Sequence, residues 1–189
     1  EEVLQKCGAS EVSIYEKAVV TGIGCGFNIF VHHPVCIIDM GGGIIEISIL
    51  SGGGVVLQKT LKTAGEHMNK IIYNYLYLKH GIMIGENSCE ELKMTLANFT
   101  SEDKTMLVRG KSLETGLPKS VKVRSADVKE SLLTSFYHIL DAMKEVVELA
   151  PPEVVDELYK NGVILTGGLS QIPGLDLFFS AELNLPVKI

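Results

Sequence analysis

The chain has no run of lysine or arginine long enough to follow a nucleic-acid backbone, and its 17 basic residues are outnumbered by 23 acidic ones, a formal net charge of −6. Phosphate-tracking proteins need a basic stripe, so DNA, RNA and acidic substrates are poor candidates as partners. A C-x-x-C pair is also missing. Cys7, Cys25, Cys36 and Cys89 are widely spaced, which argues against a zinc or dithiol centre and for reduced, mostly buried thiols. No apolar run reaches the roughly 18–20 residues that span a bilayer. The chain starts at Glu1 rather than Met, and no signal peptide is expected. Repeats and low-complexity tracts are absent as well. What is present is an ordinary globular composition, 46% hydrophobic and 21% charged over 189 residues, long enough for one large core or two small ones.

Along the chain, residues 1–10 read as the end of a helix stopped by Gly8. "EVSIY" (11–15) reads as a short strand. "AVVTGIGCG", Ala18 to Gly26, is small and apolar without alternation and predicts a closely packed helix. Segments rich in Ile and Val at 35–39, 44–50 and 54–60 predict a β-meander, with "SGGG" at 51–54 as its hairpin. Met68, Ile71, Ile72, Tyr75 and Leu76 recur at helical spacing, predicting a helix from Glu66 to Lys79. Asn87-Ser88 reads as the cap of the next helix. "TMLVRG" and "KSVKV" predict two strands around a turn. Ser125 is the expected cap of the longest helix, which runs to Leu149, where Pro151-Pro152 ends it and starts another. "GVILTGGLSQIPGL" predicts a buried strand, a glycine turn and a helix, and "LPVKI" a final strand. Strand pairs alternating with long helices indicate an α/β or α+β fold.

Adjacent His32 and His33 point opposite ways on an extended segment and read as loop residues rather than a metal site. His67 and His138 read as partly exposed helix residues, and Tyr73, Tyr75 and Tyr77 as packing residues first, with a subunit contact as the alternative.

Two glycine turns carry the chemistry. In "CIIDMGGGIIEISIL" a strand ends in Asp39, and the following Gly41, Gly42 and Gly43 let backbone N–H groups converge on one anion. An aspartate there can reach a metal through water. In "LTGGLSQ" a second turn, Thr166 to Ser170, lets a flat ring approach the backbone. Either turn alone reads equally well as a structural hairpin. Their order and separation make the pair more specific.

With "IYEKAVVTGIGCG", "IMIGENSCEELK", "VRGKSLETGLPKSVKV" and "GVILTGGLSQIPGL" added, the chain resembles the second half of the actin-like ATPase superfamily over nearly its whole length. The RG-x-x-L-x-TGLPK string points to the MreB branch, the bacterial actins that determine rod shape. The resemblance implies an α/β fold, the actin-like ATPase (ribonuclease H-like) domain with a smaller inserted α+β subdomain. Residues 1–34 would close the first half and form the interdomain helix. Residues 35–64 and 125–189 would form the ribonuclease H-like subdomain around a five-stranded sheet, and 65–124 the insert. It also implies ATP or ADP with Mg²⁺ as cofactors. Gly41, Gly42 and Gly43 would wrap the phosphates, with Asp39 near the magnesium through water. Cys89, Glu90, Glu91 and Leu92 would lie by ribose and adenine, and Gly167, Gly168, Leu169 and Ser170 would face the adenosine. A solvated acidic face stays open for Glu90 and Glu91.

The chain departs from the family where the chemistry lies. Lys17 stands in place of a glutamate that positions the attacking water. Ile44 and Ile45 replace two threonines whose hydroxyls contact phosphate. Asn69 replaces an aspartate, with Glu66 at the earlier carboxylate position, and Leu169 replaces a glycine. Lys17 reads either as a cation that neutralises a phosphate or as a side chain that swings into solvent. Lost positioning groups of this kind cost about 10²–10⁴-fold in rate, so Lys17, Ile44 and Asn69 are expected to be degenerate catalytic positions.

The family's first phosphate loop and membrane-inserting segment are not in this chain, so ATP binding by the chain alone is expected to be weak. Three functions compete. One is a subunit of cytoplasmic filaments at the inner face of the membrane, which guide cell-wall synthesis and assemble with copies of themselves and with the cell-wall machinery. The others are an ATP-dependent enzyme or chaperone on the same fold, and a nucleotide-free scaffold.

Overall fold

In a computed structural model that describes all 189 residues, two sheets organise the chain. The N-terminal stretch holds helices α1 (Glu2–Lys6) and α2 (Lys17–Gly24). Next come β1 (Val35–Met40), β2 (Ile45–Ser51) and β3 (Gly54–Leu61), then α3 (Gly65–His80), β4 (Ile82–Met83) and α4 (Glu86–Leu96). Strands β5 (Thr105–Ser112) and β6 (Pro118–Arg124) lead into the long α5 (Ser125–Leu149) and α6 (Pro152–Asn161). The chain closes with β7 (Val163–Thr166), a 3₁₀ turn (Gly168–Gln171), α7 (Leu175–Leu183) and β8 (Val187–Lys188).

The larger sheet has the order β3-β2-β1-β7-β8, antiparallel across β1–β3 and parallel from β1 through β7 to β8. Successive side chains on a strand alternate between faces. Cys36, Ile38 and Met40 of β1 and their cross-strand partners Ile49, Ile47 and Ile45 therefore enter one large core with Phe136, Ile139 and Met143 of α5. Ile37 and Leu50 face the other way and join a small cluster with Ala18 of α2 and Ile29. On that side Gly22 lets α2 lie against the sheet. A Cβ added there would sit 2.6 Å from Leu50 Cδ1 and 2.9 Å from Ile29 Cγ2. The smaller sheet, β4-β5-β6, pairs antiparallel. An aromatic group ties the end of α4 to α5 and α7, with Phe99 edge-on to Phe136 at 5.1 Å and stacked on Phe178 at 4.5 Å.

Four local expectations are corrected. "EVSIY" forms no strand: Ile14 and Tyr15 are exposed, and no neighbouring strand is there to take up its backbone groups. Asn87 and Ser88 do not cap α4. They lie inside its first turn, and Gly85 holds the extended cap position. Ser125 is the first residue of α5 rather than its cap. Its hydroxyl accepts from the Lys104 N–H, and the Asp127 carboxylate takes the Arg124 N–H at 3.0 Å. Only two of the four thiols, Cys36 and Cys89, are buried; Cys7 is exposed and Cys25 half-buried. Burial pushes the Cys36 thiol up to about 12 and the Cys89 thiol, also beside Glu86, to about 11, so both stay protonated and inert.

Candidate functional site: a glycine-walled cleft

The turn after β1 is fixed by a hydrogen bond from Gly41 N–H to Ile44 C=O at 3.1 Å. Its outer carbonyls cap the next helix. Gly65 N–H donates to Gly41 C=O at 3.2 Å and Glu66 N–H to Gly42 C=O at 2.9 Å, so the start of α3 is locked against the turn. No backbone carbonyl accepts from the amides of Gly42 and Gly43. The second turn, after β7, has a different constraint. Gly167 has φ 87° and ψ 174°, a region essentially reserved for glycine. Its Cα faces the end of β1 so closely that a Cβ would stand 2.6 Å from Met40 O and 2.7 Å from Asp39 Oδ1. The two turns, about 130 residues apart in sequence, meet there because β1 and β7 are parallel neighbours with Asp39 beside Thr166.

A cleft of about 560 Å³ opens between them. Gly41, Gly42, Gly65, Glu66, Glu90, Lys93, Met94, Gly168, Leu169, Gln171 and Ile172 line it. This is within the range of small-molecule sites, about 300–1,000 Å³. One wall is polar. The Lys93 ammonium, only 6% exposed, donates to Gly65 C=O at 2.9 Å and to Glu90 Oε2 at 2.8 Å. Asn69 Nδ2 donates to the same Glu90 oxygen at 2.6 Å. Partial burial pushes the Glu90 carboxyl up, but the hydrogen bonds from Lys93 and Asn69 outweigh it and hold the group below the usual glutamate range. Glu90 is therefore a fixed anion pointing along the cleft. Met94, next to Lys93 on α4, and Leu169 and Ile172 after the second turn add apolar surface on which a flat ring can lie.

The structure brings together Gly41, Gly42, Glu90, Gly168 and Leu169 of the residues singled out in the sequence, and it separates others. Gly43 and Ile44 follow the turn but do not line the cleft, and Ile44 is partly exposed. Cys89 and Leu92 are core residues on the inner face of α4, while Glu91 points to solvent. The helical period explains this: of four consecutive residues on α4 only Glu90 can face the cleft. Gly167 and Ser170 stand behind it, Ser170 Oγ donating to Gly167 C=O at 2.7 Å. Asn69 lies outside the lining of the cleft. It is buried behind Glu90, steadies that carboxylate, and borders a separate groove of about 430 Å³ with Tyr73 and Cys89. Sequence reasoning missed Lys93, Gly65, Met94, Gln171 and Ile172 as cleft residues. The signal for Lys93 was its place three residues after Glu90 in "CEELK".

Asp39 lies outside the cleft, on the α2 side of the sheet. It is the cross-strand partner of Glu46. Lys17, the first residue of α2, bridges the two, with Nζ 2.6 Å from Asp39 Oδ2 and 3.3 Å from Glu46 Oε2. The other Glu46 oxygen accepts from Gln58. Partial burial lowers the Lys17 pKa, and the hydrogen bonds and charges of Asp39 and Glu46 more than offset this, leaving it raised above the ordinary lysine value. Both expectations for Lys17 are thereby corrected. It neither swings free into solvent nor waits for a phosphate; it is committed to two carboxylates.

Comparison with known proteins places this geometry. The sequence profile of a family described as MreB/Mbl protein matches residues 1–189. The chain is 33% identical over 190 residues to the cell shape-determining protein Mbl of Bacillus subtilis, covering all of this chain and 57% of that protein. It is 29% identical over 190 residues to the cell shape-determining protein MreB of Escherichia coli, covering 55% of it. Among solved structures, MreB5 of Spiroplasma citri bound to AMPPNP superposes over the whole chain with a TM-score of 0.96 at 32% identity, 57% of that structure being covered. A MamK double helical filament matches in fold alone, with a TM-score of 0.70 at 19% identity over 90% of this chain and 52% of that one. The chain thus spans a little over half the length of the curated relatives it matches. No helix is long and apolar enough to cross a membrane.

Proposed function

The chain belongs to the MreB/Mbl family and has the actin-like ATPase fold, and from that premise we propose that it is part of a cell-shape-determining filament subunit that binds ATP or ADP and hydrolyses it slowly. The observation that carries this reading is the cleft: two glycine turns and the Glu90–Lys93 pair converge on one space of nucleotide size. The free Gly42 amide is a donor for phosphate oxygens. Glu90 is an acceptor for sugar hydroxyls, and the Met94–Leu169–Ile172 surface offers apolar contact to a base. The similar MreB5 structure holds AMPPNP, which supports the assignment. In this reading residues 35–64 and 125–189 act as one unit and 65–124 as its insert.

Magnesium does not fit the residues present. The space beside Asp39 and Glu46 amounts to about 10 Å³, lined by Ala18, Thr21, Ile37 and Ser48 as well. That is room for about one water, whereas Mg²⁺ keeps several waters in an octahedral shell about 2.1 Å from the ion. No group of three or more His, Cys, Asp or Glu side chains gathers elsewhere. Slow hydrolysis follows from the same side chain, because the Lys17 ammonium has no lone pair with which to orient or deprotonate an attacking water.

Assembly with further copies at the inner face of the membrane, alongside the cell-wall machinery, is the role we assign to the whole protein. Its insert exposes Leu78, Leu107 and Leu117, apolar side chains that a subunit contact would cover. The test has two measurements. Fluorescent ADP should bind this chain saturably with a dissociation constant above about 1 μM, and Lys93→Ala should weaken it about tenfold, since a charge-assisted contact and the Glu90 orientation are lost together. The full-length protein should pellet as polymer, and Leu107→Glu with Leu117→Glu should abolish pelleting without unfolding it. Unchanged ADP affinity in Lys93→Ala would remove the cleft from the reading.

A further inference from the structure

Asp39 and Glu46 are directly opposed on neighbouring strands, an arrangement that is destabilising for like charges. Their side chains are 18% and 6% exposed, so water screens them little. The second Glu46 oxygen already accepts from Gln58, and Asp39 Oδ1 faces Gly167 across a gap too narrow for a Cβ. The Ser48 hydroxyl in the same recess has no partner. A cation between the carboxylates relieves this repulsion, and the first residue of α2 supplies it covalently. We infer that Lys17 is the resident cation of this site, standing where a divalent metal would bind, so that nucleotide enters the neighbouring cleft without requiring Mg²⁺.

This inference rests on the nucleotide-cleft reading and adds a property to it. The recess and the cleft are joined through Gly167, which touches Asp39 and Met40 on one side and leads into Gly168 and Leu169 on the other. A fixed ammonium at Asp39 therefore lies one residue's width from the turn that borders the ligand. An ordinary divalent ion has to displace that ammonium to reach either carboxylate, and the recess is too small to admit both.

The experiment uses this chain as wild type, Lys17→Ala and Lys17→Arg, with two readouts. The first is Mn²⁺ binding by electron paramagnetic resonance in the absence of nucleotide. The second is the affinity for fluorescent ADP in saturating Mg²⁺ and in EDTA. Wild type and Lys17→Arg should bind no Mn²⁺ at the protein concentrations used and should change ADP affinity less than about twofold between the two conditions, well under the tenfold that marks a real contribution. Lys17→Ala, which vacates the space between the carboxylates, should gain one Mn²⁺ site and become dependent on the metal for ADP. A wild-type Mn²⁺ site, or a loss of about tenfold or more in wild-type ADP affinity in EDTA, overturns the inference. Should Lys17→Ala fail to fold, the wild-type and Lys17→Arg measurements decide it alone. Absence of any ADP binding overturns the cleft reading instead, and the Mn²⁺ readout still decides whether Lys17 holds the cation position.

Discussion

Gly167→Ala should be among the most damaging single-methyl changes in the molecule, and its neighbour supplies the control. The backbone of Gly167, at φ 87° and ψ 174°, costs a side-chain-bearing residue about 1–3 kcal/mol. The added Cβ would also stand 2.6 Å from Met40 O, 2.7 Å from Asp39 Oδ1 and 2.8 Å from Met40 C. Two of those atoms are backbone of a central strand, which cannot rotate away, so β1 or the turn has to move, at about 1–3 kcal/mol for an overpacked site. The two effects together give about 2–6 kcal/mol, a large part of the roughly 5–15 kcal/mol that holds a domain folded. Gly168→Ala puts its methyl where no heavy atom lies within 4 Å, and should stay within about 0.5 kcal/mol of wild type. Urea unfolding followed by circular dichroism measures both. With a slope of about 2–3 kcal/mol per molar, Gly167→Ala should lower the midpoint by about 0.7–3 M and Gly168→Ala by no more than about 0.25 M. Equal midpoints for the two variants would refute the claim that parallel pairing of β1 and β7 forces the glycine at 167.

Phe136→Ala should cost about 3–5 kcal/mol, because its ring is fully buried and edge-on to both Phe99 and Phe179; a thermal midpoint close to wild type would count against the aromatic tie between α5 and α7. Burial pushes the Asp127 carboxyl up, but the Arg124 amide and the Lys79 ammonium outweigh it and hold the group below the usual range. A group depressed in the folded state stabilises above its unfolded pKa of about 3.9 and loses that contribution as pH falls through the folded value. Asp127→Asn should therefore be less stable than wild type by about 1–2 kcal/mol at pH 7, and the gap should close below about pH 4. A gap that is the same at pH 7 and pH 3 in urea titrations would sink this assignment.

Much of the architecture was legible because it is written in local patterns. The Ile and Val runs at 35–39, 44–50 and 54–60 fell on β1, β2 and β3, the spacing of Met68, Ile72 and Leu76 fell on the buried face of α3, and Pro152 opened α6. The glycine runs were legible as turns for the same reason, though of the glycines in the two cleft turns only Gly167 has a backbone that requires glycine. Sequence alone could not decide which way a side chain faces when that depends on a distant partner. "EVSIY" carries strand-like residues yet stays irregular, because a strand exists only beside another. Asn69 and Lys93 became a bracket for Glu90 only when α3 and α4 packed side by side. Lys17 shows the difference most clearly. Its charge and its place before "AVVTGIG" were visible in the sequence, but its target was set by the register that puts Asp39 opposite Glu46 and by the glycine that lets α2 lie on that face. Shifting the register of one strand by one residue would turn its carboxylate to the opposite face and break the pair. The sequence therefore determined that a cation stands near the phosphate-type turn, and tertiary structure decided that a buried and a half-buried carboxylate hold it.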